Sequence, residues 1–344
     1  MGFREASNLS SATKTQMFRE ILEQPENLER LWIGRNDFVR LAKKVSKSSM
    51  IYFTAFGSSY NAALYAQYLL YHFLGLPSVV ATPTFFLNPR KKLREKAGLA
   101  IAISQSGKVH EVILAIQALR KAGLQTLAIT NNANSDLAKN CHDVLPLQAG
   151  PEKSVPATKT FTATLFSLQL LVAHWGAKSM LRGLSQTPSL CQKILEGTHE
   201  MKLVASRLGT ATRGFVLAPE ALRPIALEGS LKLNECAYLM AEPFEWKEFF
   251  HGPVALAERE TPALLLRQPD DLKSSFQVEK LLKKIGVRSL PIGLERFKEI
   301  KDSNMAAIPF TLLFQLIAHH LALLRGRNPD HPRHLQKVTQ TPIG

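Results

Sequence analysis

"LAIAISQSGKVHE", residues 99–111, decides the fold. A short apolar run enters Ser104-Gln105-Ser106-Gly107, and a helix-compatible segment follows. Apolar residues that do not alternate with polar ones suit a strand buried on both faces, as in parallel sheets. The small hydroxyl and amide side chains at its end leave two readings open. The serines cap the next helix, or the turn holds an anion at the positive end of that helix.

The same grammar recurs on both sides. "MIYFTAF" (50–56) runs into Gly57-Ser58-Ser59 and a helix over 59–75 that Gly75 closes. "PSVVAT" (77–82), "QTLAIT" (125–130) and "DVLPL" (143–147) are further short strand-like runs. Helices are predicted near 107–122 and 134–140, and a long one near 157–177. Residues 179–195 contain Gly183, Pro188 and several Ser and Gln, and read as a connector. The pattern then restarts with "GFVLA" (214–218), a helix over 223–240, "PALLLR" (262–267), "GVRSLPI" (286–292) and a helix over 309–324. A helical arm over 16–32 precedes everything. The expected fold class is α/β, as two sandwiches of similar design. The expected segments are an arm at 1–34, a first domain at 35–180, a second at 195–325 and a tail at 326–344.

The chain has 344 residues, 45% hydrophobic and 21% charged, which excludes a disordered or fibrous protein. Lys and Arg number 43 against 28 Asp and Glu, a formal net charge of +15. The basic residues are scattered apart from runs such as "NPRKKLREK" (88–96), and no zinc-finger or RNP-like motif accompanies them. We therefore expect a small anionic substrate and no nucleic acid. No apolar run reaches the about 18–20 residues that span a bilayer, and the polar N-terminus has no signal-peptide core, so no membrane partner is expected. Cys141, Cys191 and Cys236 are widely spaced with no CxxC pair. That argues against a disulfide framework or structural zinc and for a reducing cytoplasm. His319-His320 and His331-x-x-His334 lack acid or thiol partners, so no metal is expected.

In open parallel sheets, ligands bind where loops leave the carboxyl ends of the strands. Both hydroxyl-rich turns fall there, and in each the next helix is expected to begin at once. Without G-x-G-x-x-G or a P-loop, a phosphorylated small metabolite fits better than a nucleotide. Glu228, Lys232 and Glu235 recur at i, i+4 and i+7 and share one helix face. That spacing suits an exposed ion-pair stripe as well as a catalytic group. A carboxylate can carry a proton between adjacent carbons, and burial can tune it towards neutrality. His251, in "FFHGP", suits a loop that presents an imidazole.

Six ordered motifs resemble the sugar-isomerase (SIS) domain family: "GSSYN" (57–61), "ISQSGK" (103–108), "PATKTF" (156–161), "IALEGSLKLNE" (225–235), "FFHGPVAL" (249–256) and "HLQKVTQT" (334–341). The chain is similar to the isomerase half of glucosamine-6-phosphate synthase, and its "AGPEKSVPATK" and "KVTQT" spellings to stand-alone SIS-type glucosamine-6-phosphate deaminases. The resemblance implies two tandem SIS subdomains, each a flavodoxin-like three-layer sandwich with a parallel sheet flanked by helices. Met1 and Gly2 lead into the arm, so we expect no glutaminase domain and no use of glutamine's ammonia. By resemblance, Ser58, Ser59, Ser104, Gln105 and Ser106 hold the sugar phosphate, while Gly57, Val155, Ala157 and Thr158 line the sugar. Glu235 carries the C1/C2 proton, Lys232 shares its helix face, and His251 opens the ring from a neighbouring subunit, which implies a homodimer. Lys337 forms an imine at C2 from a tail that folds over the site.

The family often has Thr where Val109 stands and Ser where Ala157 stands, and "APE" (218–220) replaces a glycine-rich second-half turn. The implied activity converts glucosamine 6-phosphate to fructose 6-phosphate and ammonia without a cofactor. A galactosamine-6-phosphate deaminase or a fructosamine-phosphate deglycase would share the architecture. A non-catalytic SIS sensor would need the phosphate turns but not Glu235, Lys232, His251 and Lys337.

Overall fold

The computed structural model describes residues 15–87, 98–267 and 269–338. The chain forms two compact units. One comprises described residues within Glu26–Glu152, Lys159–Ser185 and Gln336–Gly344, the other those within Met1–Pro25, Lys153–Thr158 and Gln186–Leu335. Neither is contiguous in sequence, unlike the four successive segments expected above. The arm divides inside helix Gln24–Ile33, and residues 15–25 belong with the second sheet.

The first unit holds five parallel strands: β1 (Met50–Thr54), β2 (Ser78–Ala81), β3 (Gly98–Ile103), β4 (Gln125–Thr130) and β5 (Asp143–Pro146). Their order is β2-β1-β3-β4-β5, with Thr54 opposite Ala102 and Ile103 opposite Ile129. β3 is buried at every position, as its unbroken apolar run requires. Tyr52, Ala100, Ala102 and Ala128 pack with Val112, Ile116 and Leu119 of helix His110–Lys121. The opposite face meets helix Gly57–Leu74, which packs on helix Lys159–Trp175. Gly75 closes the first of these in a left-handed conformation, φ +62°.

The second unit repeats the scheme with β6 (Arg213–Ala218), β7 (Met240–Glu245), β8 (Pro262–Leu266) and β9 (Arg288–Ile292), all parallel in the order β7-β6-β8-β9. Phe215, Leu217, Ala263 and Leu265 pack on Val278 and Leu282 of helix Leu272–Lys284. Helix Arg223–Ala237 packs against helix Ser303–Leu324.

Several expectations change. The 179–195 connector is a short 3-10 turn, Lys178–Met180, and a helix, Leu181–Glu196. Its buried Leu184, Thr187, Cys191 and Ile194 give it a packed face despite the internal Pro188. Helix 223–240 stops at Ala237, because "MAEPFE" forms β7. Pro243 disguises that strand, and an edge position tolerates proline. The last helix begins at Ser303, where the Asp302 carboxylate accepts from the backbone of Asn304 and Met305 at 2.9 Å. At 22 residues it is long and apolar enough to cross a membrane, contrary to the sequence expectation, but 89% of its apolar window is buried inside the protein.

Helix Gln16–Leu22 lies on that core helix. His319 Nε2 is 2.8 Å from Thr15 Oγ1, and its ring stacks on Phe18 with centroids 5.1 Å apart. Among the described residues, His319 Nδ1 and His320 Nε2 are buried without hydrogen-bond partners. Burial pushes His319 down to about 3, aided by the neighbouring His320, and His320 down to about 4, aided by Lys202. Both rings therefore favour the neutral form in the fold, whereas an unfolded imidazole binds a proton near pH 6.5. Stability is fully present above that pH and is lost as pH falls through the folded values. The thermal midpoint is expected to fall as pH drops from about 6.5 to about 4, and less steeply in His320→Leu. A wild-type midpoint constant over that window would contradict this.

Candidate active site

The strand order β2-β1-β3 reverses direction between β1 and β3, so the loops leaving these neighbours run to opposite faces and open a crevice at their carboxyl ends. Both hydroxyl-rich turns stand there. Gly57, Ser58 and Ser59 form the first turn of the 18-residue helix Gly57–Leu74. Its N-cap residue is Phe56, whose side chain makes no cap hydrogen bond. The serines are thus not caps, and the first-turn N–H groups have no intrahelical acceptor. Gly57 adopts φ +54°.

The second turn does not lead directly into a helix, as was expected. Helix His110–Lys121 starts after a loop, with Val109 as its N-cap residue. Ser104 and Ser106 instead brace the loop internally. Ser104 Oγ accepts from Gly107 N at 3.2 Å, and Ser106 Oγ from Lys108 N at 3.3 Å. The loop is pinned to the β4 side, where Asn131 N donates to Gln105 O at 3.0 Å and Leu137 N to Gly107 O at 3.0 Å. Among the described residues, the N–H groups of Gln105 and Ser106 have no acceptor in the protein. Gly107 is irreplaceable on two counts. Its φ is +62°, and a Cβ there would lie 2.1 Å from Ser135 Oγ. Val109, where the family often has Thr, packs on the core beside helix His110–Lys121.

The Glu228–Lys232–Glu235 face lies in the other unit and is not an exposed stripe. The Lys232 and Glu228 side chains are 1% and 2% exposed, and Glu235 is the member that reaches solvent, at 20%. Lys232 Nζ is 2.5 Å from Glu235 Oε2 and 3.5 Å from Glu228 Oε1. Burial is the largest influence on the ammonium and would lower its pKa; the Glu235 and Glu228 carboxylates outweigh it, and the pKa is raised. Lys232 is thus a fixed cation at neutral pH, neither a nucleophile nor a base. Phe314 of the adjacent core helix sits against Gly229, where a Cβ would come within 2.5 Å of the ring. Asn234 Oδ1 accepts from Ala241 N at 2.9 Å and ties this helix to β7. Cys236 is core, as expected, and burial pushes its thiol up.

Lys337 is half-buried rather than frayed, and its Nζ lies 2.6 Å from Glu152 Oε2. Glu152 was missed in the sequence. Its fully buried carboxylate also accepts from Thr160 N at 3.1 Å and Thr160 Oγ1 at 2.7 Å. An acid just before a Thr-rich helix start was the available signal. Val155 N donates to Asp330 O at 2.9 Å, Ala157 is partly exposed, and the buried Thr158 offers its carbonyl to Gln315 Nε2 at 3.2 Å. His251 lies exposed just after the short helix Trp246–Phe249, with its backbone N–H on Glu248 O at 2.9 Å. The end of the "HLQKVTQT" motif lies outside the described residues.

Residues 44–174 match the SIS domain family, over the five-stranded sheet and both serine turns. They are a SIS domain. The SIS chain is 30% identical to the glutamine–fructose-6-phosphate aminotransferase (isomerizing) of Methanothermobacter thermautotrophicus over 93% of its own length and 56% of that protein. It thus spans little more than half of the curated relatives it matches. In fold it resembles the C-terminal domain of glucosamine-fructose-6-phosphate aminotransferase from Francisella tularensis, with TM-score 0.85 and 24% identity over 93% of this chain and 98% of that one. It also resembles glucosamine-6-phosphate deaminase from Thermotoga maritima, with TM-score 0.78 and 25% identity over 94% and 99%.

The strained, crowded turn of this SIS domain gives a sharp test. Gly107→Ala combines a left-handed non-glycine residue with overpacking, at a cost on the order of 3 kcal/mol. Denaturant unfolding is expected to show that loss, and a variant as stable as wild type would contradict the crowding at this turn.

Proposed function

We propose that the chain deaminates an amino-sugar 6-phosphate, with glucosamine 6-phosphate giving fructose 6-phosphate and ammonia. The observation that carries this is the pair of serine turns at the switch point, with two N–H donors that lack acceptors among the described residues. Ser104, Gln105, Ser106, Ser58 and Ser59 take the phosphate, and Gly57, Val155, Ala157 and Thr158 border the sugar. Preorganised amides and hydroxyls suit a dianion without adding a charge that would hold product. The homology to the aminotransferases and the likeness to a deaminase support an amino-sugar or ketose phosphate as substrate.

Ring opening exposes an aldehyde at C1 beside the C2 amine. His251, supplied by a second copy in a homodimer, transfers the ring proton. Glu235 removes the proton from C2 and returns it at C1, while the aldehyde oxygen gains a proton and the amine loses one, which leaves an imine at C2 and an alcohol at C1. Lys232, charged throughout, keeps the Glu235 carboxylate oriented. Lys337 adds to the C2 imine and expels ammonia, and water then hydrolyses the lysine imine to the ketone. The sum consumes one water, changes no oxidation state overall and requires no cofactor. The ion pair with Glu152 Oε2 at 2.6 Å favours the charged amine, so attack requires Lys337 to pass its proton to that carboxylate and leave the pair. The three cysteines are all unpaired thiols, consistent with a reducing cytoplasm.

The test is ammonia release from glucosamine, galactosamine and fructosamine 6-phosphates. Turnover is expected with the first, reduced at least about 100-fold in Glu235→Gln and abolished in Lys337→Met. Release from none of the three, with hexose phosphate still bound, would replace this reading with a sugar-phosphate sensor.

A further inference from the structure

Glu20 is fully buried, and the proposed reaction does not use it. It stands on helix Gln16–Leu22 among the apolar Met17, Phe18 and Ile21. A carboxylate there must be compensated by hydrogen bonds or it would be expelled. The compensation comes from one loop. Glu20 Oε1 accepts from Lys153 N at 2.5 Å, and Oε2 from Ser154 N at 3.2 Å and from the Ser154 hydroxyl. Gln16 Nε2 adds a bond at 3.0 Å from the same helix.

Two more links run between the same elements. The Asp330 carboxylate accepts from Gln16 N at 2.8 Å and Met17 N at 2.7 Å, while its backbone carbonyl accepts from Val155 N at 2.9 Å. Gln24 Nε2 donates to Gln315 Oε1 at 2.7 Å, and Gln315 Nε2 to Thr158 O at 3.2 Å. Among the described residues loop 153–158 pairs with no strand, and these partners hold its backbone: Glu20 at Lys153 and Ser154, Asp330 at Val155, Gln315 at Thr158. Asp330 also fixes the segment after the core helix, and Tyr238 holds it again, with Arg333 over its ring at 4.4 Å and its hydroxyl accepting from Arg333 N at 2.9 Å. Met17 also touches Cys236, the neighbour of Glu235, with Sδ and Sγ 3.8 Å apart.

We infer that Glu20 and Asp330 are positioning residues, which lock the loop carrying Val155, Ala157 and Thr158 in the arrangement the reaction uses. The inference rests on the reading above that this loop borders the sugar. Glu20→Gln keeps the volume but turns an N–H donor towards the N–H groups of Lys153 or Ser154. Asp330→Asn does the same at Gln16 or Met17. Each sets donor against donor without opening a cavity.

The experiment pairs backbone amide exchange with kinetics in wild type, Glu20→Gln, Asp330→Asn and Ser154→Ala. Ser154→Ala removes one hydroxyl and keeps the carboxylate, so it serves if Glu20→Gln does not fold. Exchange in peptides over 153–158 and 326–335 is expected to accelerate at least tenfold in the carboxylate variants and less in Ser154→Ala, while thermal unfolding stays cooperative. With glucosamine 6-phosphate, kcat is expected to fall on the order of tenfold to a hundredfold, KM changing far less, since misplacement by about 1 Å costs that much. Unchanged exchange in both segments overturns the inference, and so does lost protection with wild-type kcat. Lost protection in a protein whose wild type releases no ammonia supports the positioning role and overturns the deamination reading instead.

Discussion

Two parallel strands that adjoin in the sheet but send their helices to opposite faces must leave a crevice between their ends. That constraint, set by the β2-β1-β3 order, brings Gly57-Ser58-Ser59 beside Ser104-Gln105-Ser106-Gly107. The second sheet has the same order over its four strands, β7-β6-β8-β9, but not the same chemistry. After β6 the chain reads Pro219-Glu220. Proline removes an N–H donor and glutamate adds a negative charge, and both disfavour a phosphate. The architecture is duplicated, while the hydroxyl-rich turns stand in one copy.

Four carboxylates, three of them buried and Glu235 half-buried, are compensated in different ways. Glu228 and Glu235 share Lys232, which stays charged between them. Glu152 holds a tail lysine and the first turn of a helix. Glu20 holds two amides and a hydroxyl of one loop. A buried charge left without its partner is destabilising by about 3–5 kcal/mol, so each of these groups fixes its surroundings as firmly as the surroundings fix it. Such preorganisation suits the proposed reaction, which moves one proton between adjacent carbons.

Much of this was legible in the sequence. The unbroken apolar runs at 50–54 and 99–103 mark two-sided burial, and both are central strands. Gly107 marked its turn because no other residue fits there. Edge strand β7 was hidden by Pro243, and helix Leu181–Glu196 by Pro188, since local breakers were outweighed by pairing and by a packed face. Glu152, Glu20 and Asp330 were not singled out, because their partners lie far along the chain and no local spacing announces them. The same holds for Lys337, whose tail carries no periodic signal of its own; only resemblance pointed to it.

The most direct test of the account is a crystal structure of the protein with a bound hexose 6-phosphate. The account predicts phosphate oxygens within hydrogen-bond reach of the Ser104 and Ser59 hydroxyls and of the Gln105 and Ser106 amides. A phosphate seated anywhere else, with the Ser104–Gly107 turn unengaged, would contradict it.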